Sequence, residues 1–251
     1  MIKRFFFVII FIPFFVFSQE KNNPYSKGEY LKYKISFGPI VAGYGELSVS
    51  DIKKRKGKNL YHMIGKGRTA PFFDWFFKVR DTYETYIDTI SNNPVFFNRD
   101  VYEGGHVIKQ KYNFNHKNKK VDTGEKHYFI SDTTQDMLSA YYYARGLDKN
   151  EIEKDSMFSI NIFMDEEIYI LEVKYLYNEI INTNYGKLNC LVFQPKMQKG
   201  RVFAAEEKMK VWISDDNNRI LVKVETDIWA GKIIAKITEI KNTKYPLKTT
   251  N

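Results

Sequence analysis

Apolar and polar residues alternate with a period of two along most of this chain. From Leu31 to Phe37 every second residue is apolar, and lysine or serine occupies the positions between them. Successive side chains of a strand point to opposite faces, so this period predicts a β-strand with one buried face. Similar alternation predicts further strands at 47–49, 158–164, 169–175, 209–213 and 233–237.

Short turn-forming segments separate these predicted strands, at 165–167, 184–186 and 215–218. Each is short enough to connect antiparallel neighbours. The prediction is therefore a mainly β fold, in which a single large antiparallel meander forms a curved sheet or a partly open barrel. The segments 32–47 and 174–188 share a Lys-Tyr opening and a Tyr-Gly close, which either a duplication or a chance similarity would explain.

Two segments interrupt the alternation, and the first is dense in aromatic residues. Pro71 suits the first turn of a helix, and Phe72, Trp75 and Phe76 follow with helical spacing. This spacing predicts a short helix at about 71–77. Its aromatic stripe either packs on the sheet or forms the rim of an apolar pocket.

The second interruption is the segment at about 132–145. Asp132 or Thr133 is suited to cap the start of a helix, and Gly146 is suited to end it in the left-handed conformation. Apolar residues between them recur with helical spacing, so the segment predicts one amphipathic helix. We expect this helix to cover the concave face of the sheet near the aromatic segment.

The two helical segments together supply a candidate site for a ligand. Seven of their residues are expected to line an apolar pocket: Phe72, Phe73, Trp75, Phe76, Met137, Tyr141 and Tyr142. In this arrangement Met137 and Tyr141 are buried beneath the helix.

The N-terminus has the organisation of a secretory signal. Lys3 and Arg4 precede an apolar run at 5–17, which is too short for a bilayer span of roughly 20 residues but suits a signal peptide. A cleavage site is expected near Ser18 and Gln19, and the absence of a nearby cysteine excludes a lipid anchor there. We predict a periplasmic or secreted protein, with an uncleaved anchor as the alternative.

No linker rich in proline, glycine or serine divides the remaining chain, whose length suits one all-β domain. The predicted organisation is a signal peptide at 1–18, an N-terminal extension at 19–27, a single β domain at 28–241 and a flexible tail at 242–251.

The formal net charge of +9 is spread over lysine-rich turns such as 53–56 and 117–120. Nucleic-acid binding would require these clusters on one face, so it is not expected, particularly for an exported protein. Peripheral contact with an acidic membrane surface is the expected electrostatic interaction. Cys190 has no second cysteine with which to form a disulfide, and it is expected to fill the core.

The sequence contains no recognisable catalytic or metal-binding pattern. The four histidines lie in separate segments without HxH or HExxH spacing: His62, His106, His116 and His127. The carboxylates Asp81 and Glu84 face opposite sides of a strand, so these two and Asp88 are expected to form salt bridges rather than a glycosidase pair. We expect no catalytic residue, no metal, no cofactor and no enzymatic activity.

Several stretches resemble an exported bacterial family, domain of unknown function 3108. They are GEYLKYKISFGPIVAG, FFKVRDTYETYID, TTQDMLSAYYYAR, KLNCLVFQP and VWISDDNNRILVKV, in that order. The resemblance extends from about Gly28 to Ile240 and implies a Gram-negative envelope protein with a mainly antiparallel β fold, but no chemistry. The end of the signal segment resembles a Bacteroidetes export signal. A broader likeness to the curved-sheet carriers of lipoproteins is architectural only.

Three functions follow as hypotheses. In the first, an apolar cavity binds a lipid, an acyl chain or a hydrophobic segment without catalysis. In the second, the protein is an envelope scaffold or interaction protein with a solid core, and a protein of the envelope is its partner. The third is an enzyme that acts on envelope glycans.

Overall fold

The computed structural model describes residues 23–55, 57–150, 152, 156–197, 209–228 and 231–250. In these residues sixteen strands form one sheet: β1 Tyr30–Phe37, β2 Ile40–Val49, β3 Lys53–Arg55, β4 Lys58–Thr69, β5 Val79–Asp88, β6 Pro94–Glu103, β7 His106–Asn115, β8 Lys120–Asp122, β9 His127–Phe129, β10 Met157–Met164, β11 Glu167–Thr183, β12 Gly186–Met197, β13 Lys210–Ser214, β14 Leu221–Ile228, β15 Gly231–Lys241 and β16 Thr249–Thr250. The helices are α1 Pro71–Asp74, α2 Met137–Arg145 and a 3-10 turn at His116–Asn118.

The strands follow one another through the sheet almost in chain order. From one edge the order is β10-β11-β12-β13-β14-β15-β1-β2-β4-β5-β6-β7-β8-β9, while β3 pairs with β4 and β16 pairs with β12. Each of these pairs is antiparallel, which confirms the predicted meander. The described sheet does not close into a barrel. The segment leading into α2 instead approaches the β10 edge, where Gln135 forms an isolated parallel bridge with Ile162.

The turn between β10 and β11 fastens the two halves of the sheet to each other. Asp165 and Glu166 both have positive φ angles, 49° and 64°, as a two-residue hairpin of this kind requires. The carboxylate of Asp165 accepts hydrogen bonds from Arg99 at 3.1 Å and Gln110 at 2.9 Å, and its backbone N–H donates to the hydroxyl of Tyr112 at 3.2 Å. These contacts offset the strain of two non-glycine residues in the left-handed region.

Helix α2 packs between different parts of the sheet. Leu138 and Tyr142 belong to the core cluster that also contains Met63 of β4 and Phe97 of β6. Ala140, on another side of the helix, packs with residues of β10 and β11. Because these surfaces of the helix are covered, it fills the interior of the fold as well as covering the sheet.

The structure corrects the predicted limits of this helix. The N-cap is Asp136, not Asp132 or Thr133, and its carboxylate accepts from the backbone N–H groups of Leu138 and Ser139 at 2.9 and 2.8 Å. Gly146 ends the helix with φ −87°, in the right-handed region, so the expected left-handed stop is wrong.

Two further expectations about packing also fail. Met137 is 36% exposed instead of buried, and Tyr141 is half-buried at the border of the core. The predicted aromatic helix is shorter than expected, at four residues, and none of its residues is buried. Cys190, in contrast, is fully buried among apolar side chains of the sheet, as predicted.

Both ends of the described chain are attached to the domain. In the predicted N-terminal extension, Tyr25 is buried in the core, with its ring centre 5.1 Å from that of Tyr142. In the predicted flexible tail, Tyr245 accepts a hydrogen bond from Asn218 at 2.8 Å, and Thr249 pairs with β12. The predicted signal peptide at 1–18 lies outside the described residues.

Candidate functional site

The structure separates the seven predicted pocket residues into two groups. Leu138 of α2 lies over β4 at Gly65, where a Cβ would be 3.4 Å from its Cδ1. Helix α1 begins only after β4 has ended at Thr69. Four strand residues span roughly 13 Å, so α2 covers the middle of the sheet and the aromatic segment lies at its end. The two groups of residues therefore lie apart along the sheet.

The group on α2 belongs to a filled interior. Tyr142 is 1% exposed and its ring packs edge to face on Tyr25. The hydroxyl of Tyr141 accepts a hydrogen bond from the backbone N–H of Leu221 at 3.1 Å. Met137 is 36% exposed. The two tyrosines anchor the helix against the core.

An ion pair at the end of α2 fixes this arrangement. The guanidinium of Arg145 contacts the carboxylate of Glu29 at 2.6 and 2.8 Å, and the two side chains are 0% and 1% exposed. Arg145 also donates to the carbonyl oxygen of Asn218 at 3.1 and 2.8 Å. The rings of Tyr25, Tyr141 and Tyr142 surround it, with centres 5.5 to 5.6 Å away. The helix is therefore tied to both β1 and the β13–β14 turn.

The aromatic segment, in contrast, is exposed to solvent. Phe72 is 68% exposed, Trp75 83%, Phe76 64% and Phe77 53%. The rings contact one another, with centres 5.8 Å apart for Phe72 and Phe76 and 4.6 Å apart for Trp75 and Phe76. Ile40, Tyr102 and Val107 are exposed near the ends of β2, β6 and β7. We call the exposed residues Phe72, Trp75, Phe76 and Phe77 the aromatic apex.

Polar contacts hold the apex loop in this outward orientation. The carboxylate of Asp74 accepts from Arg80 at 2.9 and 2.5 Å and from the hydroxyl of Thr69 at 2.5 Å. The same hydroxyl accepts from the backbone N–H of Val79 at 3.0 Å. The hydrogen bonds from Arg80 and then Thr69 lower the pKa of Asp74 to about 2, so at neutral pH the carboxylate is ionised and these contacts are intact.

The β6–β7 hairpin supports the apex from one side. The backbone N–H of Gly104 donates to the carbonyl oxygen of Lys78 at 2.9 Å. A Cβ on Gly104 would lie 2.2 Å from the ring of Phe77, and its φ of 57° also favours glycine. Nothing in the sequence indicated that this turn packs against the aromatic segment.

Exposed basic side chains lie beside the apex. Lys66, Arg68 and Lys78 are exposed in the strands or loop beside it. Of the nearby carboxyl groups, Asp74 is paired with Arg80. Burial, and then the neighbouring Glu103, raise the pKa of Asp81 to about 6. Asp81 thus lies beside a second carboxyl group of the next strand, and the salt bridge expected for it from the sequence is wrong.

The other polar residues considered from the sequence are dispersed. Asp88 pairs with Lys58 of β4 at 2.7 Å, as the salt-bridge interpretation predicts. Glu84 contacts His62 at 2.9 Å on the opposite face from Asp81. In the part of the chain that the structure describes, no three histidine, cysteine, aspartate or glutamate side chains are grouped as metal binding would require.

One cleft of about 410 Å³ lies on the outer face of the sheet and is lined mainly by polar side chains, among them Glu84, Asn98, Lys109 and Lys111. It differs in both position and polarity from the predicted apolar pocket. None of the described helices has the length and apolar character needed to cross a membrane.

Three solved structures resemble this fold. A β-barrel-like protein of domain of unknown function DUF1849 from Brucella abortus superposes with a TM-score of 0.56 and 8% identity, over 87% of this chain and 99% of that one. A candidate lipoprotein from Parabacteroides distasonis gives 0.40 and 11%, over 87% and 97%. A candidate exported protein with a YmcC-like fold from Bacteroides fragilis gives 0.35 and 9%, over 88% and 98%. At these identities the first likeness shows the fold alone.

A comparison with curated proteins finds no significant match. The sequence itself matches the profile described as "Protein of unknown function (DUF3108)" over residues 32–238, which is most of the chain and includes the strands on both sides of α2. The chain therefore belongs to the DUF3108 family.

Proposed function

We propose that this chain is an exported, non-catalytic protein of the cell envelope that binds a hydrophobic partner through the aromatic apex. The main observation behind the proposal is that four large aromatic side chains of one loop are each 53% to 83% exposed, while hydrogen bonds hold the loop in place. Exposed apolar patches of this kind are costly in water, and they usually mark interaction sites.

The sequence predicted a hydrophobic site in the interior of the fold. We propose that the site lies on the surface instead. The interior beside α2 contains Leu138 and Tyr142 in close packing, and Arg145 is bound there by five hydrogen bonds. A ligand in that region would have to displace both the helix and a buried ion pair. The apex requires no such rearrangement, because its rings are already accessible.

Fractionation of cells that express the full chain tests the proposal. The variant Phe72→Ser/Trp75→Ser/Phe76→Ser removes apolar surface without emptying the core, so its stability should stay within about 1 kcal/mol of the wild type. We expect the wild type to sediment with the envelope membranes and the triple variant to shift to the soluble envelope fraction.

The matched control is Ile90→Ser, because Ile90 is 54% exposed at the opposite end of β5. This control should fractionate like the wild type. An unchanged distribution of the folded triple variant would show that the apex is not the working surface.

A further inference from the structure

We infer that the partner of the aromatic apex is the surface of an anionic lipid bilayer, an inference that rests on the proposed function above. The first argument is shape. The apex lies on the connection between β4 and β5, beside the tip of the β6–β7 hairpin, and its rings project from the end of the sheet. Peptide partners usually bind in a groove or along an open strand edge, whereas projecting loop tips suit insertion into a bilayer surface.

The second argument is the chemistry of the exposed side chains. Phe72, Phe76 and Phe77 are wholly apolar, and Trp75 combines a large apolar ring with one N–H donor. Tryptophan and tyrosine favour the level of the lipid headgroups, where one part of the ring is in contact with hydrocarbon and the other with water. Tyr102, which is 38% exposed on the adjacent hairpin, has the same amphipathic character.

The third argument is charge complementarity. Exposed cations border the apex: Lys66 and Arg68 near the end of β4, and Lys78 immediately after the aromatic residues. Lys78 lies 5.9 Å from the ring centre of Tyr102, and Arg68 lies 4.7 Å from that of Tyr44. Lysine and arginine beside an apolar surface can place their charged groups among phosphates while the rings enter the hydrocarbon boundary. A neutral bilayer would use only the aromatic part of this surface.

Binding of the purified mature chain to lipid vesicles tests the inference, with vesicles of phosphatidylcholine alone and vesicles containing 30% phosphatidylglycerol as probes. We expect tight association with the anionic vesicles and about a hundredfold weaker association with the neutral ones, since about 1 kcal/mol is lost for each of the three bordering cations. Phe76→Ser should weaken binding to the anionic vesicles about tenfold or more, as expected for one ring that no longer leaves water.

Charge is tested separately from apolar surface. Arg68→Glu/Lys78→Glu should reduce binding to anionic vesicles and leave binding to neutral ones nearly unchanged. Lys117→Glu is the control, because Lys117 is exposed at the opposite end of β7 from the hairpin tip. Ile90→Ser serves the same purpose for apolar removal. Both controls should bind like the wild type.

The outcomes distinguish the inference from the function on which it rests. Absence of vesicle binding, together with a change of cell fractionation in the apex variant, would overturn the lipid inference and favour a protein partner at the same surface. Equal binding to both vesicle types would overturn the anionic specificity. If the apex variant changes neither vesicle binding nor fractionation, the inference and the proposed function both fail.

Discussion

The buried ion pair between Glu29 and Arg145 gives the sharpest prediction about stability. The substitution Glu29→Gln keeps the size and shape of the side chain but removes its negative charge. Arg145 would then remain 0% exposed with a positive charge that only carbonyl oxygens and aromatic rings compensate. Removal of one partner from a buried pair typically costs 3–5 kcal/mol, so we expect a loss of about 3 kcal/mol or more in the free energy of unfolding.

The pair Lys27–Asp51 provides a matched control in the same part of the chain. Its atoms are 2.7 Å apart, a separation like that of the buried pair, but its side chains are 64% and 60% exposed. Solvent screens such a pair, so Asp51→Asn should change the free energy of unfolding only slightly. The distance between the charged atoms is nearly the same in the two pairs, so the comparison isolates the effect of burying the side chains.

Urea denaturation followed by circular dichroism measures both effects. The transition midpoint should fall strongly for Glu29→Gln and slightly for Asp51→Asn, with similar slopes if the transition stays two-state. The double variant Glu29→Gln/Arg145→Met should lose less than the sum of the two single losses, because it leaves no unpaired buried charge. Equal losses for Glu29→Gln and Asp51→Asn would refute the reasoning, as would strict additivity in the double variant.

Three further predictions concern a buried acid, the thiol and the N-terminus. Burial raises the pKa of Asp136 to about 6 despite its hydrogen bond from Thr85, so the folded state binds more protons than the unfolded state between about pH 4 and 6. The free energy of unfolding should therefore fall by about 3 kcal/mol as the pH rises through this window. Urea titrations at pH 4 and 7 should show that Asp136→Asn removes most of this fall. Parallel pH profiles would contradict this. Burial also raises the pKa of Cys190 to about 12, so the native thiol should not react with a disulfide reagent at pH 8 until urea unfolds the protein, and rapid native labelling would be inconsistent with the structure. Protein isolated from its host should begin near Gln19 by N-terminal sequencing, and a chain that begins at Met1 would contradict the predicted signal peptide.

The sequence by itself determined several of the strands and the pairing of those that short turns connect. Alternation in segments such as 30–37 and 233–237 is a local property, because a strand turns successive side chains to opposite faces. Short turns at 165–167 and 184–186 then require neighbours in the chain to become neighbours in the sheet. The burial of Cys190, in an alternating apolar segment, was predictable as well.

The start of α2 could not be read from the sequence. Asp132, Thr133 and Asp136 are all suitable capping residues, and local propensity does not distinguish them. The choice of Asp136 depends on its burial and on a 2.6 Å hydrogen bond from Thr85, which is 51 residues away in the chain. The partner of Arg145 is similarly remote, since Glu29 lies 116 residues before it.

Only the tertiary structure decided which way the aromatic residues face. Helical spacing of Phe72, Trp75 and Phe76 shows that these side chains share one side, but spacing contains no information about what lies opposite them. Helix α1 begins after β4 has passed the core, and the ion pair between Asp74 and Arg80 fixes the orientation of the helix. The aromatic side of α1 therefore faces solvent instead of the sheet. The apex is thus a consequence of where the strand ends, which hydrophobic patterning alone does not specify.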